Sequence, residues 1–162
     1  MKKLMLGLTV LSTLLVASQL TFAQSSASAN VTVQAKVIAA LSITPTSATL
    51  NFGDVAQGTS PAIDAASGIA FTVAGEPNHT ATLTYNSTAT LHQTTGSATL
   101  TFTANVIGNT TNSTSGAASF PSSITLNGSG NYYIWLGGNL GNIPATQTTG
   151  QYTGSYTITV SY

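Results

Sequence analysis

Apolar side chains recur at every second position along most of this chain, and this period constrains its fold more than any other feature of the sequence. Side chains of a β-strand alternate between two faces, whereas an amphipathic helix repeats every 3.6 residues. The alternating apolar sets are Leu50 and Phe52; Ile69, Phe71 and Val73; Leu83 and Tyr85; Leu100, Phe102, Ala104 and Val106; and Tyr132, Ile134 and Leu136. Threonine, alanine or asparagine separates their members, except in the last set, where Tyr133 and Trp135 intervene. The pattern therefore predicts an all-β chain of half-buried strands.

Segments rich in glycine, proline, asparagine and aspartate separate these strands, as tight turns require. Two examples are AGEPNHT and LNGSGN. Short strands with turns between them are typical of a β-sandwich or a barrel. Because the spacing is uneven, with a long polar loop around residues 109–116, we expect one β-sandwich domain over residues 38–162.

Residues 1–23 have the layout of a secretory signal peptide, with a basic start, an apolar run and small or polar residues up to Ala23. Polar residues interrupt the run, so it is short for a membrane span. We expect cleavage before Gln24 and no membrane span in the mature protein. Lys36 is then the one basic side chain, which argues against a nucleic-acid partner.

Residue patterns typical of catalysis, cofactor binding or metal binding are not found in the sequence. His79 and His92 lie in polar surroundings, and no Gly-x-Ser-x-Gly motif accompanies the many serines. The acidic residues Asp54, Asp64 and Glu76 lack the spacing of a calcium loop. We therefore expect a protein that is not an enzyme and needs no cofactor or metal.

Residues 29–43 carry an apolar side chain at every odd position, which is long for one strand. One interpretation is a free amino-terminal arm, residues 24–37, followed by the first strand of the domain near residues 38–44. The other is one long edge strand that bends and changes sheets within its own domain. In the first interpretation the arm is a donor strand for another molecule, through Val31, Val33, Ala35 and Val37.

The chain printed here closes on a second alternating segment, residues 150–162. Its residues expected on one face are Tyr152, Tyr156, Ile158, Val160 and Tyr162. An unpaired strand edge recruits other chains, and a groove that lacks a strand accepts one through main-chain hydrogen bonds and pockets for alternate side chains. We therefore expect this face to form the acceptor strand and groove for a donated arm.

The aromatic segment NYYIWLGG, residues 131–138, allows two readings of its tyrosines and tryptophan. Tyr133 and Trp135 lie on the face opposite to Tyr132 and Ile134. Aromatic rings stack on sugars, but they also fill cores. If Tyr133 and Trp135 form an exposed ligand platform, the protein is a self-contained secreted adhesive or glycan-binding module.

The path VTVQAKVIAALSITP, LNFGDV, GIAFTVAG and WLGGNL, followed by TGQYTGSYTITVSY, resembles the secreted pilin-like domains related to spore coat protein U and the archaic chaperone–usher pilins. It is most similar to a cysteine-free branch of unassigned function. The most specific part is the Gly-x-Tyr-x-Gly run of residues 150–154. The pattern of spore coat protein U has one cysteine near position 40 or 41 and another near position 74, where this sequence has Ala40, Leu41 and Ala74. The sequence also departs at Tyr162, which is last, whereas many chaperone-dependent pilins have a penultimate tyrosine.

This resemblance implies an incomplete immunoglobulin-like β-sandwich that lacks its last strand and receives the arm of the next subunit. It implies an exported structural subunit of a surface filament or coat, whose partners are other copies of itself or related subunits. Where assembly uses them, a periplasmic chaperone and an outer-membrane usher are further partners. It also implies a Gram-negative bacterial source and passage through the periplasm to the cell surface or the medium.

Overall fold

The computed structural model describes residues 26–119 and 122–162 of the chain. Their regular structure is β except for one short 3₁₀ turn, Ala65–Ser67. The strands in chain order are β1 (Ser42–Pro45), β2 (Ala62–Ile63), β3 (Ile69–Ala74), β4 (Thr80–Tyr85), β5 (Thr88–Gln93), β6 (Thr99–Asn109), β7 (Ala118–Ser119), β8 (Ser123–Thr125), β9 (Asn131–Asn139), β10 (Tyr152–Thr153) and β11 (Ile158–Ser161). The all-β prediction is confirmed. Within these described ranges, no helix has the length and apolar character needed to cross a membrane.

The strands form two antiparallel sheets that pack face to face. The larger sheet has the order β1-β3-β9-β6-β5-β10, with β2 beside β9 and β7 beside β6. The smaller sheet has the order β11-β4-β8. The chain passes from the smaller sheet to the larger one between β4 and β5, so these neighbours in sequence belong to different layers, as in a β-sandwich.

The core lies between the inner faces of the two sheets. Its buried side chains, which come mainly from the alternating positions of the sequence, include Val73, Leu83, Phe102, Val106, Ile124, Leu126, Ile134 and Leu136. Full burial of an aliphatic or phenylalanine side chain of this size contributes about 1.5–3 kcal/mol. Within the described residues, no polar or charged side chain is fully buried. The alternation therefore places the apolar half of most strands inside and the polar half outside, whereas in β9 Trp135 on the opposite face is buried as well.

Threonine and serine cover much of the two outer faces. On the smaller sheet, the exposed Thr84 of β4 lies opposite the exposed Thr159 of β11. On the larger sheet, the exposed Thr90 of β5 lies opposite the exposed Thr101 of β6. Threonine suits these positions because its branched side chain favours a strand and its hydroxyl remains in water.

The amino-terminal part of the described chain has no assigned strand from residue 26 to residue 41. Val31, Val33 and Val37 are 82%, 90% and 93% exposed. The first strand, Ser42–Pro45, begins later than the predicted start at residue 38. Residues 29–43 are therefore not one continuous strand in this structure. The signal-peptide prediction for residues 1–23 lies outside the described residues.

The terminal segment forms two strands in different sheets, not the single strand that its alternation predicts. Tyr152 of β10 lies opposite Gln93 in the larger sheet, whereas Ile158 of β11 lies opposite Tyr85 in the smaller one. The chain crosses between the sheets after Gly154. A Cβ atom at this position would lie 2.7 Å from the carbonyl oxygen of Thr90, so the crossing requires glycine.

Candidate functional site

A groove of about 990 Å³ opens beside the core. Its floor consists of side chains from the inner face of the larger sheet, including Phe71, Leu91, Phe102 and Leu136. One wall is the chain from residue 47 to residue 55, and the other is the chain from residue 150 to residue 156. We call these the first wall and the second wall. The groove is apolar at its base and bordered by backbone on both sides.

The first wall has the alternation of a strand without being paired as one. Leu50 and Phe52 are half-buried and pack against the core, and the Phe52 ring meets Phe102 edge to face, with 6.1 Å between ring centroids. Sequence analysis identified Leu50 and Phe52 as a strand pair but gave no sign that they border a groove. No strand is assigned to residues 47–55.

Backbone hydrogen bonds hold the first wall just beyond its two ends. The Thr46 amide donates to the Ala70 carbonyl (2.8 Å), and the Gly58 amide donates to the Ile143 carbonyl (2.7 Å). Between them, the amide bonds given by the described structure are local, such as that from Gly53 to the Asn51 side chain. Backbone polar groups favour a hydrogen-bonding partner. This wall therefore offers main-chain groups to an added strand.

The second wall turns two tyrosine rings toward the core and satisfies their hydroxyls. Tyr156 donates a hydrogen bond to the Asn86 carbonyl (2.6 Å), and its ring meets Phe102 edge to face at 5.5 Å. Tyr152 donates to the Thr148 carbonyl (2.6 Å). Burial, with a smaller effect from the neighbouring Tyr85, raises the pKa of Tyr156 to about 12. Both hydroxyls are paired with backbone carbonyls, so neither adds an unsatisfied polar group to the groove.

The predicted acceptor residues lie at three places. Tyr152 and Tyr156 line the groove. Ile158 and Val160 lie on β11, where they are half-buried and pack against the core. In the described sheets β11 is an edge strand that pairs with β4, and β1 lies near it without pairing. Tyr162 follows the far end of β11 and does not line the groove.

The side chain of Tyr162 instead bridges two distant parts of the backbone. Its hydroxyl accepts a hydrogen bond from the Glu76 amide (2.6 Å) and donates one to the Ala39 carbonyl (3.0 Å). Its ring contacts that of His79 edge to face at 5.1 Å. The sequence gave no signal for these contacts, because they join residues that are far apart in the chain.

Tyr133 and Trp135 do not form an open platform. Trp135 retains 7% exposure and Tyr133 is half-buried, although their rings lie 6.5 Å apart at an interplanar angle of 30°. A sugar stacks on a ring only where the face of that ring is accessible. In the described part of the chain, no group of three or more histidine, cysteine or acidic residues is placed to hold a metal ion.

Comparison with known proteins gives a family without an assigned activity. No curated protein matches this sequence. The model of one protein family, described as a domain of unknown function (DUF4402), matches residues 19–162. That range includes the first strand, both walls of the groove and the terminal strand. The chain therefore belongs to the DUF4402 family.

Proposed function

We propose that this protein is an exported structural subunit of a surface filament or coat, and that its copies assemble by β-strand donation. The open apolar groove carries the proposal, because it lies between two lengths of backbone that an added strand can join. The same chain supplies a suitable strand in residues 29–37. Their alternating apolar side chains match the pattern that a groove of this kind accepts.

The exposed valines of the arm provide the driving force. Val31, Val33 and Val37 are each more than four-fifths exposed. Moving each side chain into an apolar groove contributes about 1.5–3 kcal/mol. Ordering the arm has a backbone entropy cost of about 1–2 kcal/mol per residue, so the valines alone do not suffice. Main-chain hydrogen bonds to the walls are needed as well, which favours a donated strand over a loosely bound apolar tail.

Arm and groove are different surfaces, so the contact between two copies is heterologous. Such a contact leaves one free arm and one free groove on every pair, and it propagates unless the rotation between copies closes a ring. A linear polymer is therefore the expected product. The amino-terminal sequence supports export, and the partners we propose are other copies, with a periplasmic chaperone and an outer-membrane usher where assembly uses them.

Two full-length variants with complementary defects test the proposal. Val31→Asp places a charge in the arm, and Ala89→Phe fills the groove from the half-buried side of β5. Each variant alone should remain monomeric in size-exclusion chromatography at concentrations where the wild-type protein forms polymers visible by electron microscopy. Mixed together, they should form a heterodimer, because the intact arm of Ala89→Phe can enter the intact groove of Val31→Asp.

Two control variants introduce the same residue types, aspartate and phenylalanine, on the opposite face of the arm and of β5. Gln34→Asp lies in the arm at a polar position, and Thr90→Phe lies on the exposed face of β5. Both should polymerise like the wild-type protein. Polymers from either complementary variant alone, or a wild-type protein that stays monomeric at all concentrations, would contradict strand donation.

A further inference from the structure

The last two residues of the arm and the four residues that follow it, residues 36–41, link the arm to the domain, and we call them the connector. No strand is assigned to the connector, yet side chains from two distant places hold it. The Lys36 Nζ atom lies 2.9 Å from the Glu76 Oε1 atom, and the Ala39 amide donates to Glu76 Oε2 (3.1 Å). The Ala39 carbonyl accepts from the Tyr162 hydroxyl. Both backbone polar groups of Ala39 are therefore fixed.

The Tyr162 hydroxyl uses its donor and one acceptor position in this arrangement. It bonds the connector at Ala39 and the turn after β3 at Glu76, so it ties these two segments to the end of β11. Gly75 makes room for it, since a Cβ atom there would collide with the hydroxyl and lie 2.9 Å from Leu41 Cδ1. A phenylalanine at position 162 would keep the ring but lose both hydrogen bonds.

The Glu76 carboxylate is the second point of attachment. The hydrogen bond from Lys36 and then that from the Ala39 amide hold its pKa below the ordinary value of 4.5. The Lys36 side chain is 76% exposed, so salt screens the ion pair. The hydrogen bonds to the Ala39 backbone are less sensitive to salt. They are the contacts that restrict the connector under ordinary conditions.

We propose that Glu76 and Tyr162 make the connector a stiff joint, which fixes the orientation of each copy relative to the neighbour that holds its arm. This inference rests on the proposed function, because a joint of this kind matters only where the arm lies in another copy. With the contacts removed, the six residues of the connector become a flexible linker with an end-to-end distance of about 12–15 Å. Successive copies could then rotate against each other.

Filament stiffness, measured by electron microscopy of full-length protein, tests the joint. Glu76→Ala and Tyr162→Phe should still assemble, but the persistence length should fall about twofold or more, as expected when a fixed connection becomes a flexible linker. Alanine is used at position 76 because the side-chain carbonyl of glutamine would still accept the Ala39 amide. Asp64→Ala removes a carboxylate that accepts the Ala66 amide, and Tyr133→Phe removes a tyrosine hydroxyl, both away from the connector. These two control variants should leave the persistence length unchanged. Lys36→Arg keeps a cation beside Glu76 and should preserve the wild-type value more closely than Lys36→Met.

Hydrogen exchange of the Ala39 amide provides a second measurement on the same variants. Exchange should be at least about tenfold faster in Glu76→Ala and Tyr162→Phe, a ratio that corresponds to about 1.4 kcal/mol. Variant filaments as stiff as the wild type would overturn the joint while leaving strand donation intact. Variants unable to assemble would also overturn it, because the contacts would then act on assembly itself. Absence of wild-type filaments would refute strand donation, and the joint with it.

Discussion

Val33→Asp separates assembly from folding, because Val33 is 90% exposed in the described chain. A substitution at such a position is expected to change the free energy of unfolding by no more than about 0.5 kcal/mol. In an assembled polymer, however, the same side chain would lie in an apolar groove. The variant should therefore unfold at the wild-type temperature and still fail to polymerise.

The size of the assembly defect follows from the burial of the Val33 side chain, which is lost when aspartate replaces it. Losing the burial of one valine removes about 1.5–3 kcal/mol per contact. Since about 1.4 kcal/mol is a factor of ten in affinity, the contact should weaken by at least about ten- to a hundredfold. The unpaired carboxylate adds to this loss, because a charge is costly to place among apolar side chains. The critical concentration for polymer formation should rise by the same factor.

Light scattering over a concentration series measures this critical concentration, and thermal unfolding of the monomer provides the stability control. Gln34→Asp introduces the same charge one position away, on the polar face of the arm, and should assemble like the wild type. Lowering the pH toward 4 should partly restore Val33→Asp, since its carboxyl then becomes neutral. Equal critical concentrations for Val33→Asp and the wild type would refute the role of the valines, and equal loss in the two variants would refute the assignment of faces.

Three further predictions concern the domain itself. Ile158→Asp should lower the free energy of unfolding by several kcal/mol in urea titration, because Ile158 packs against the core, whereas Thr159→Asp on the exposed face of β11 should change it little. Gly154→Ala should lower the free energy of unfolding by about 1–3 kcal/mol, because its Cβ atom would clash with the larger sheet. Gly128→Ala, where a Cβ atom meets nothing within 4 Å, should lower it far less in the same urea experiment. Because the raised pKa of Tyr156 favours its protonated form in the folded state, stability should fall as the pH rises from 10 toward 12, and Tyr156→Phe should flatten that dependence in thermal unfolding.

The strands of the core could be predicted from the sequence because their own side chains encode them. β3 and β6 follow the alternation of Ile69–Ala74 and Thr99–Asn109, where apolar and polar residues report the two faces directly. The same rule failed at the chain end. Alternation in residues 150–162 shows which side chains share a face, but it does not show which sheet supplies the partner of each part.

The groove was harder to predict because it depends on a pairing that does not occur. Leu50 and Phe52 have the pattern of a strand, and only the positions of the neighbouring strands show that their backbone is left beside a cavity. Trp135 shows the same limit from the other side. The sequence pattern placed Trp135 and Ile134 on opposite faces of β9. Whether the outer face, with Trp135, is buried depends on packing between distant segments.

The threonine-covered outer faces make the stability of the domain less dependent on pH. The hydroxyls of threonine and serine neither gain nor lose protons over the accessible pH range, so the exposed threonines of β4, β5, β6 and β11 exchange no protons on unfolding. Stability changes with pH only where the folded and unfolded chains bind different numbers of protons. A domain with such a surface keeps nearly the same free energy of folding in mildly acidic and mildly alkaline surroundings. Such a surface would suit the filament or coat proposed above, which would stand where the organism does not control the acidity.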